Sequence, residues 1–205
     1  SVLAKTGWSL LDAGEEHLSP FDKIARAEQF NLAGKNKEAK EYAGQAVAEW
    51  RNVAGKIPVS RLIEPDHGVN ALDTLMKLDL LDEALLFIDE LLIAFPNDPE
   101  LIARGRKLYD RCGDYRLAAT FADWLTVFRP GELSNRRYLA RLLEKMMEWR
   151  EAEEAWRDIC LDAGSNNDDQ LHYAQCSLNS GNIENARIVC ENLIEIEPDS
   201  GPAHL

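Results

Sequence analysis

Met147-Glu-Trp-Arg-Glu-Ala152 decides how this chain is read, because three other segments superimpose on it without a gap. They are Asp79-Leu-Leu-Asp-Glu-Ala84, Gly113-Asp-Tyr-Arg-Leu-Ala118 and Gly181-Asn-Ile-Glu-Asn-Ala186. The closing alanines stand 34 residues apart each time. A fifth copy, Gly34-Lys-Asn-Lys-Glu-Ala39, lies 45 residues before Ala84, so an 11-residue insertion separates it. Twelve residues after the alanine comes Pro96, Pro130, Gly164 or Pro198 in four of the five copies. An alanine and a helix breaker recurring together at one period mark an internal repeat.

Each unit reads as two helices joined by a tight turn. Leu139, Ala140, Leu143 and Met146 recur at i, i+1, i+4 and i+7, one helical face, and Trp149, Ala152, Trp156 and Ile159 do the same on the second helix. So short a connection forces the two helices to run antiparallel. The repeated alanine has a packing reason: a methyl lets two backbones approach where they cross. No run of alternating β-branched residues interrupts the pattern, so an all-α fold is expected.

A 34-residue helix–turn–helix unit with small residues at its eighth and twentieth positions and proline near its end resembles the tetratricopeptide repeat, or TPR. With Pro65, Pro99, Leu133 and Asn167 as first positions, the twentieth is always Ala and the seventeenth is Leu81, Tyr115, Trp149 or Ile183. The eighth is Leu72, Arg106, Ala140 or Ala174, so two copies depart from the small residue, and the family's fourth-position Trp is absent throughout. The resemblance implies a right-handed superhelical TPR-like solenoid of antiparallel helix pairs, with the first (A) helix of each pair lining a concave groove.

The expected divisions follow the period. Residues 1–19 form a covering helix or partial repeat, and 20–64 a repeat with its second helix extended to about Ala54 and an inserted loop held down by Ile57, Leu62 and Ile63. Four regular repeats occupy 65–98, 99–132, 133–166 and 167–200, and 201–205 begins a further helix or a truncated end. A repeat stack needs a polar helix over its last apolar face. A chain that stops where that helix would start is expected to be a segment of a longer protein.

Composition narrows the function classes. The 205 residues carry 23 Lys+Arg against 36 Asp+Glu, a formal charge of −13, which disfavours a duplex nucleic-acid binder. Single-stranded RNA binding through the related pentatricopeptide unit is disfavoured by the same charge and by the period. No apolar run approaches the ~20 residues that span a bilayer. Cys112, Cys160, Cys176 and Cys190 show no metal-ligand spacing and read as free thiols of a reducing compartment, so a cytoplasmic protein is expected.

Catalytic and cofactor signatures are missing from the sequence. His17, His67, His172 and His204 are scattered, and no glycine-rich phosphate loop or nucleophile elbow appears. His172 and Cys176 sit one helical turn apart, a spacing that arises commonly by accident. Glu151, Glu153 and Glu154 read as a solvated helix face.

Charge distribution is more informative than charge total. Pro99–Cys112 carries four cations against two carboxylates, and Leu133–Met147 four against Glu144 alone, whereas the second helices are acidic. Arg104, Lys107 and Arg111 form one helical stripe, and Arg137, Arg141 and Lys145 another. Asn70 and Lys77 before them, and His172 and Gln175 after them, extend the line into the groove that the resemblance implies. The competing expectation is that these cations pair with acidic second helices of neighbouring repeats. The family's chaperone-carboxylate clamp needs Lys and Asn at set positions, of which only Asn70 resembles a match, so that ligand is not expected.

The expected function is a non-catalytic protein–protein interaction scaffold, without cofactor or metal, whose basic groove takes an acidic or mixed-charge peptide segment. That segment belongs to another protein or to a flanking domain of the same chain. The alternative is a regulatory or substrate-presenting arm of a larger enzyme, a transferase or protease.

Overall fold

In a computed structural model, described for residues 20–54, 56 and 63–196, ten α-helices account for nearly all of the described residues. They are α1 (Pro20–Leu32), α2 (Asn36–Ala54), α3 (Pro65–Lys77), α4 (Leu81–Ala94), α5 (Pro99–Arg111), α6 (Tyr115–Phe128), α7 (Leu133–Lys145), α8 (Trp149–Cys160), α9 (Asn167–Ser180) and α10 (Ile183–Ile196). The starts of α3, α5, α7 and α9 are 34 residues apart, as are those of α4, α6, α8 and α10. The all-α architecture of paired helices expected from the repeat is therefore present. The covering helix expected over 1–19, most of the loop around Ile57 and Leu62, and the end at 201–205 lie outside the described residues.

The turn position that opens each quoted segment explains why the motif recurs. Gly34, Asp79, Gly113, Met147 and Gly181 all have positive φ, between 59° and 90°. The next backbone N–H reaches back five residues to a helix carbonyl: Leu80 to Leu75, Glu148 to Leu143, Asn182 to Ser177. This is the 6→1 closure of a helix by a left-handed residue. Glycine adopts that conformation freely, whereas Asp79 and Met147 adopt it at a cost. Helix starts are capped where the sequence allows. Asp98 accepts from the Leu101 N–H ahead of Pro99, Asp114 from the Leu117 N–H, and Asn166 and Asp169 form a reciprocal capping box on α9.

The chain divides into two compact units between Cys112 and Gly113. The division falls inside the expected 99–132 repeat, separating α5 from α6. In the first unit Ile24, Ala27, Ala43, Trp50, Leu72, Leu75, Phe87, Ile88 and Leu91 form one buried cluster, with Phe21 and Phe87 both edge-on to Trp50. The Trp50 indole N–H donates to Glu90, so its polar edge is satisfied. In the second unit Ala140, Ala152, Trp156, Ile159 and Cys176 are buried together, flanked by Leu133, Leu143, Trp149 and Tyr173. The repeated alanines Ala39, Ala84, Ala118 and Ala152 are completely buried and Ala186 nearly so, consistent with a methyl at a close helix contact.

Candidate functional site

The stripe residues of the first unit divide into bonded and free. Lys77 on α3 donates to Glu28 on α1 at 2.7 Å. Arg104 on α5 makes a two-pronged contact with Asp73 on α3, at 3.3 and 3.1 Å, and also bonds Glu100. Arg111 bonds the Met76 carbonyl at 2.7 Å and Asp79 at 2.9 Å. The Asp73 hydrogen bond raises the Arg104 guanidinium above its ordinary value, and the Glu28 bond does the same for Lys77. Asn70 and Lys107 are exposed, and Lys107 makes no ion pair among the described residues.

The second unit repeats the division. Arg137 on α7 donates to both carboxylate oxygens of Asp169 on α9, at 2.7 and 2.6 Å, and to the Gly164 carbonyl at 2.9 Å. The Asp169 side chain is only 3% exposed. Burial pushes its carboxyl upward, but the Arg137 hydrogen bonds and the Asn166 N–H outweigh that and hold it below the ordinary value. The Lys145 ammonium lies 5.1 Å from the centre of the Tyr115 ring. Arg141 and Gln175 are exposed, and Arg141 makes no ion pair among the described residues.

Most of the cations are thus committed inside the fold, and their partners differ from the expected ones. Asp73, Glu28 and Asp169 belong to neighbouring A helices, and Asp79 to a turn, rather than to the acidic second helices. A contact between successive A helices spans about one repeat, so the pairs Asp73–Arg104 and Arg137–Asp169 are separated by 31 and 32 residues.

Glu144, the lone carboxylate on α7, organises what remains. It accepts from the Trp156 indole N–H, from His172 Nδ1 at 2.9 Å and from the Cys176 thiol at 3.6 Å. The His172 ring is stacked on Trp156, centroids 4.5 Å apart and planes 8° apart. A carboxylate only accepts, so the Nδ1 hydrogen of His172 points to Glu144 and Nε2 is the nitrogen left over. Cys176 faces Glu144 rather than forming a nucleophile–base pair with His172. Burial and the Glu144 charge push its thiol far up, the opposite of an activated cysteine.

Clefts formed by described residues open on this unit. One, of about 290 Å³, is lined by Arg141 from α7 and by Asp168, Leu171, His172 and Gln175 from α9. Three of the ten residues picked from the sequence meet there. The other, of about 500 Å³, is lined by Arg150, Glu153, Glu154, Arg157 and Tyr173 together with the turn at 180–182 and Asn185 of α10. Glu153 is not a solvated acid. It accepts from Ser177, Ser180 and Asn182, and these bonds overcome its burial to hold its carboxyl below the ordinary value. Among the described residues, no group of three or more His, Cys, Asp or Glu side chains is arranged to hold a metal ion, and no helix is long and apolar enough to cross a membrane.

No protein-family model matches the chain, and no curated protein matches it. Solved structures do. YrrB, described as a TPR protein with an unusual peptide-binding site, superimposes with a TM-score of 0.61 at 14% identity over 89% of this chain and 88% of that one. A tetratricopeptide repeat protein from Parabacteroides merdae gives 0.62 at 18% identity over 88% and 68%. MamA from AMB-1 gives 0.63 at 13% over 89% and 93%. At such identities the likeness speaks for the fold, which is all-α and TPR-like.

Proposed function

We propose that the chain is a protein-interaction scaffold that holds a short segment of a partner, acidic or of mixed charge, against the A helices. The observation that carries this reading is the cleft between α7 and α9. Arg141, with no internal ion pair, shares it with His172 and Gln175, while Asp168 at the same cleft supplies an acceptor for a basic residue. Arg offers a carboxylate two parallel hydrogen bonds, and a concave wall strengthens the attraction. Lys107, at the repeat position of Arg141, supplies a second uncommitted cation in the first unit.

The internal pairs narrow the site. Arg104 and Arg111 in the first unit and Arg137 in the second spend their charge on Asp73, Asp79 and Asp169, so each unit offers a few donors rather than a continuous basic stripe. The peptide-binding site named for YrrB belongs to that protein, and here it makes a peptide ligand a natural first test. A cytoplasmic location fits the four free cysteines. Selection of short random peptides at low salt tests the reading. The wild-type protein should enrich acid-containing sequences, and the double variant Lys107→Glu/Arg141→Glu should lose them. Equal enrichment by both proteins would sink the assignment.

A further inference from the structure

We infer that the α7/α9 cleft reads a single carboxylate side chain of the bound segment, and that His172 takes up a proton from solvent as it does so. The inference rests on the peptide-binding reading and adds to it a ligand group and a dependence on pH.

The argument begins with the tautomer. With its Nδ1–H given to Glu144, neutral His172 offers only a bare Nε2 lone pair, an acceptor that repels a carboxylate oxygen. Three of the cleft's other groups suit an acid, since the Arg141 guanidinium and the Gln175 amide donate and Leu171 supplies an apolar wall for the side chain's methylenes, while Asp168 does not. Protonation turns Nε2 from an acceptor into a charged donor and removes its mismatch.

The titratable and charged groups around His172 come from three helices. From α7 come Glu144, which accepts from Nδ1, and Arg141, which lines the same cleft. From α8 come Trp156, whose ring stacks on the imidazole, and Glu153, whose oxygens are engaged by Ser177, Ser180 and Asn182. On α9 itself Asp168 lines the cleft, Asp169 is tied to Arg137, and the Cys176 thiol keeps its proton. A carboxylate bound at Arg141 brings a negative charge beside the Nε2 of His172. Binding and proton uptake then favour each other, as linkage requires.

The test uses the strongest-binding short peptide from the random selection, and the same peptide with each acid replaced by its amide. Calorimetric titration of the intact chain in buffers of different ionisation enthalpy counts the protons. The acidic peptide should bind about fivefold tighter at pH 6 than at pH 8, with proton uptake of up to one per site. The matching amide peptide and the His172→Gln variant should both lose that dependence. In the wild-type protein, imidazole nitrogen shifts should report the Nδ1–H tautomer, which needs no variant to fold. Acid-peptide binding that is independent of pH and takes up no proton overturns the inference and leaves the peptide reading intact. An Nε2–H tautomer also overturns it. Absence of peptide binding at either pH overturns both.

Discussion

Replacing Arg137 by alanine separates a structural cation from a binding one. Arg137 lies on the same stripe as Arg141, and sequence spacing alone assigns both to the groove. In the fold Arg137 is one-quarter exposed and makes two charge-assisted bonds to Asp169, whose side chain is 3% exposed. Breaking a buried ion pair by removing one partner costs about 3–5 kcal/mol, because the other charge is stranded. Two features reduce that here. Asp169 keeps the Asn166 N–H at 3.0 Å, and the space left by a partly exposed arginine admits water. The expected loss for Arg137→Ala is therefore about 2–3 kcal/mol, or roughly 4–12 °C in Tm for a chain of this size. Arg141→Ala, an exposed side chain without an internal ion pair, should stay within about 0.5 kcal/mol of wild type. Urea unfolding followed by far-ultraviolet circular dichroism measures both. Adding Asp169→Asn to Arg137→Ala should recover part of the loss, because no charge is then stranded. Equal stabilities for Arg137→Ala and Arg141→Ala would refute the division of the stripe.

Three further outcomes follow from the geometry. Met147 has φ of 60° and is 72% exposed, so Met147→Gly should relieve backbone strain without losing packing and stabilise by about 1 kcal/mol, read as a higher urea midpoint. Asp162, Asp169 and Glu153 all have carboxyls held below their ordinary values in the folded chain. Their contribution is fully present above about pH 4.5 and is lost as pH falls through the lowered values, so the urea midpoint should drop from pH 5 to pH 3 and drop less in Arg137→Ala. A flat profile would contradict this. Maleimide labelling followed by mass spectrometry should modify exposed Cys112 first and Cys176 last, since Cys176 is buried and its thiol is pushed up by burial and Glu144.

The helices and their period were legible because a repeat states its packing several times over. The alanines at 84, 118 and 152 are buried for one reason, and the residues at 79, 113, 147 and 181 share one left-handed turn. The stripe positions were legible too, since helical spacing alone sets which residues share a face. Their commitments were not. Whether Arg137 or Arg141 is free depends on which carboxylate the next A helix presents about 32 residues later, and no local spacing carries that. Glu144 went unread as an organiser, although its isolation among four cations on one helix was a visible signal. Its partners Trp156, His172 and Cys176 come from two other helices, so only packing brings them together. Glu153 looked like one acid of a solvated run because the serines and asparagine that bond it lie 24 to 29 residues away.

Nuclear magnetic resonance mapping of a bound peptide tests the binding site most directly. The strongest peptide from the random selection is titrated into the labelled chain, and side-chain signals of Arg141, His172 and Gln175 are followed. The account predicts that these three shift together and saturate with one affinity, while the Arg137 guanidinium, locked to Asp169, moves little. Saturable binding that leaves all three unshifted and instead moves Arg150, Tyr173 and Asn185, at the larger cleft, would contradict it.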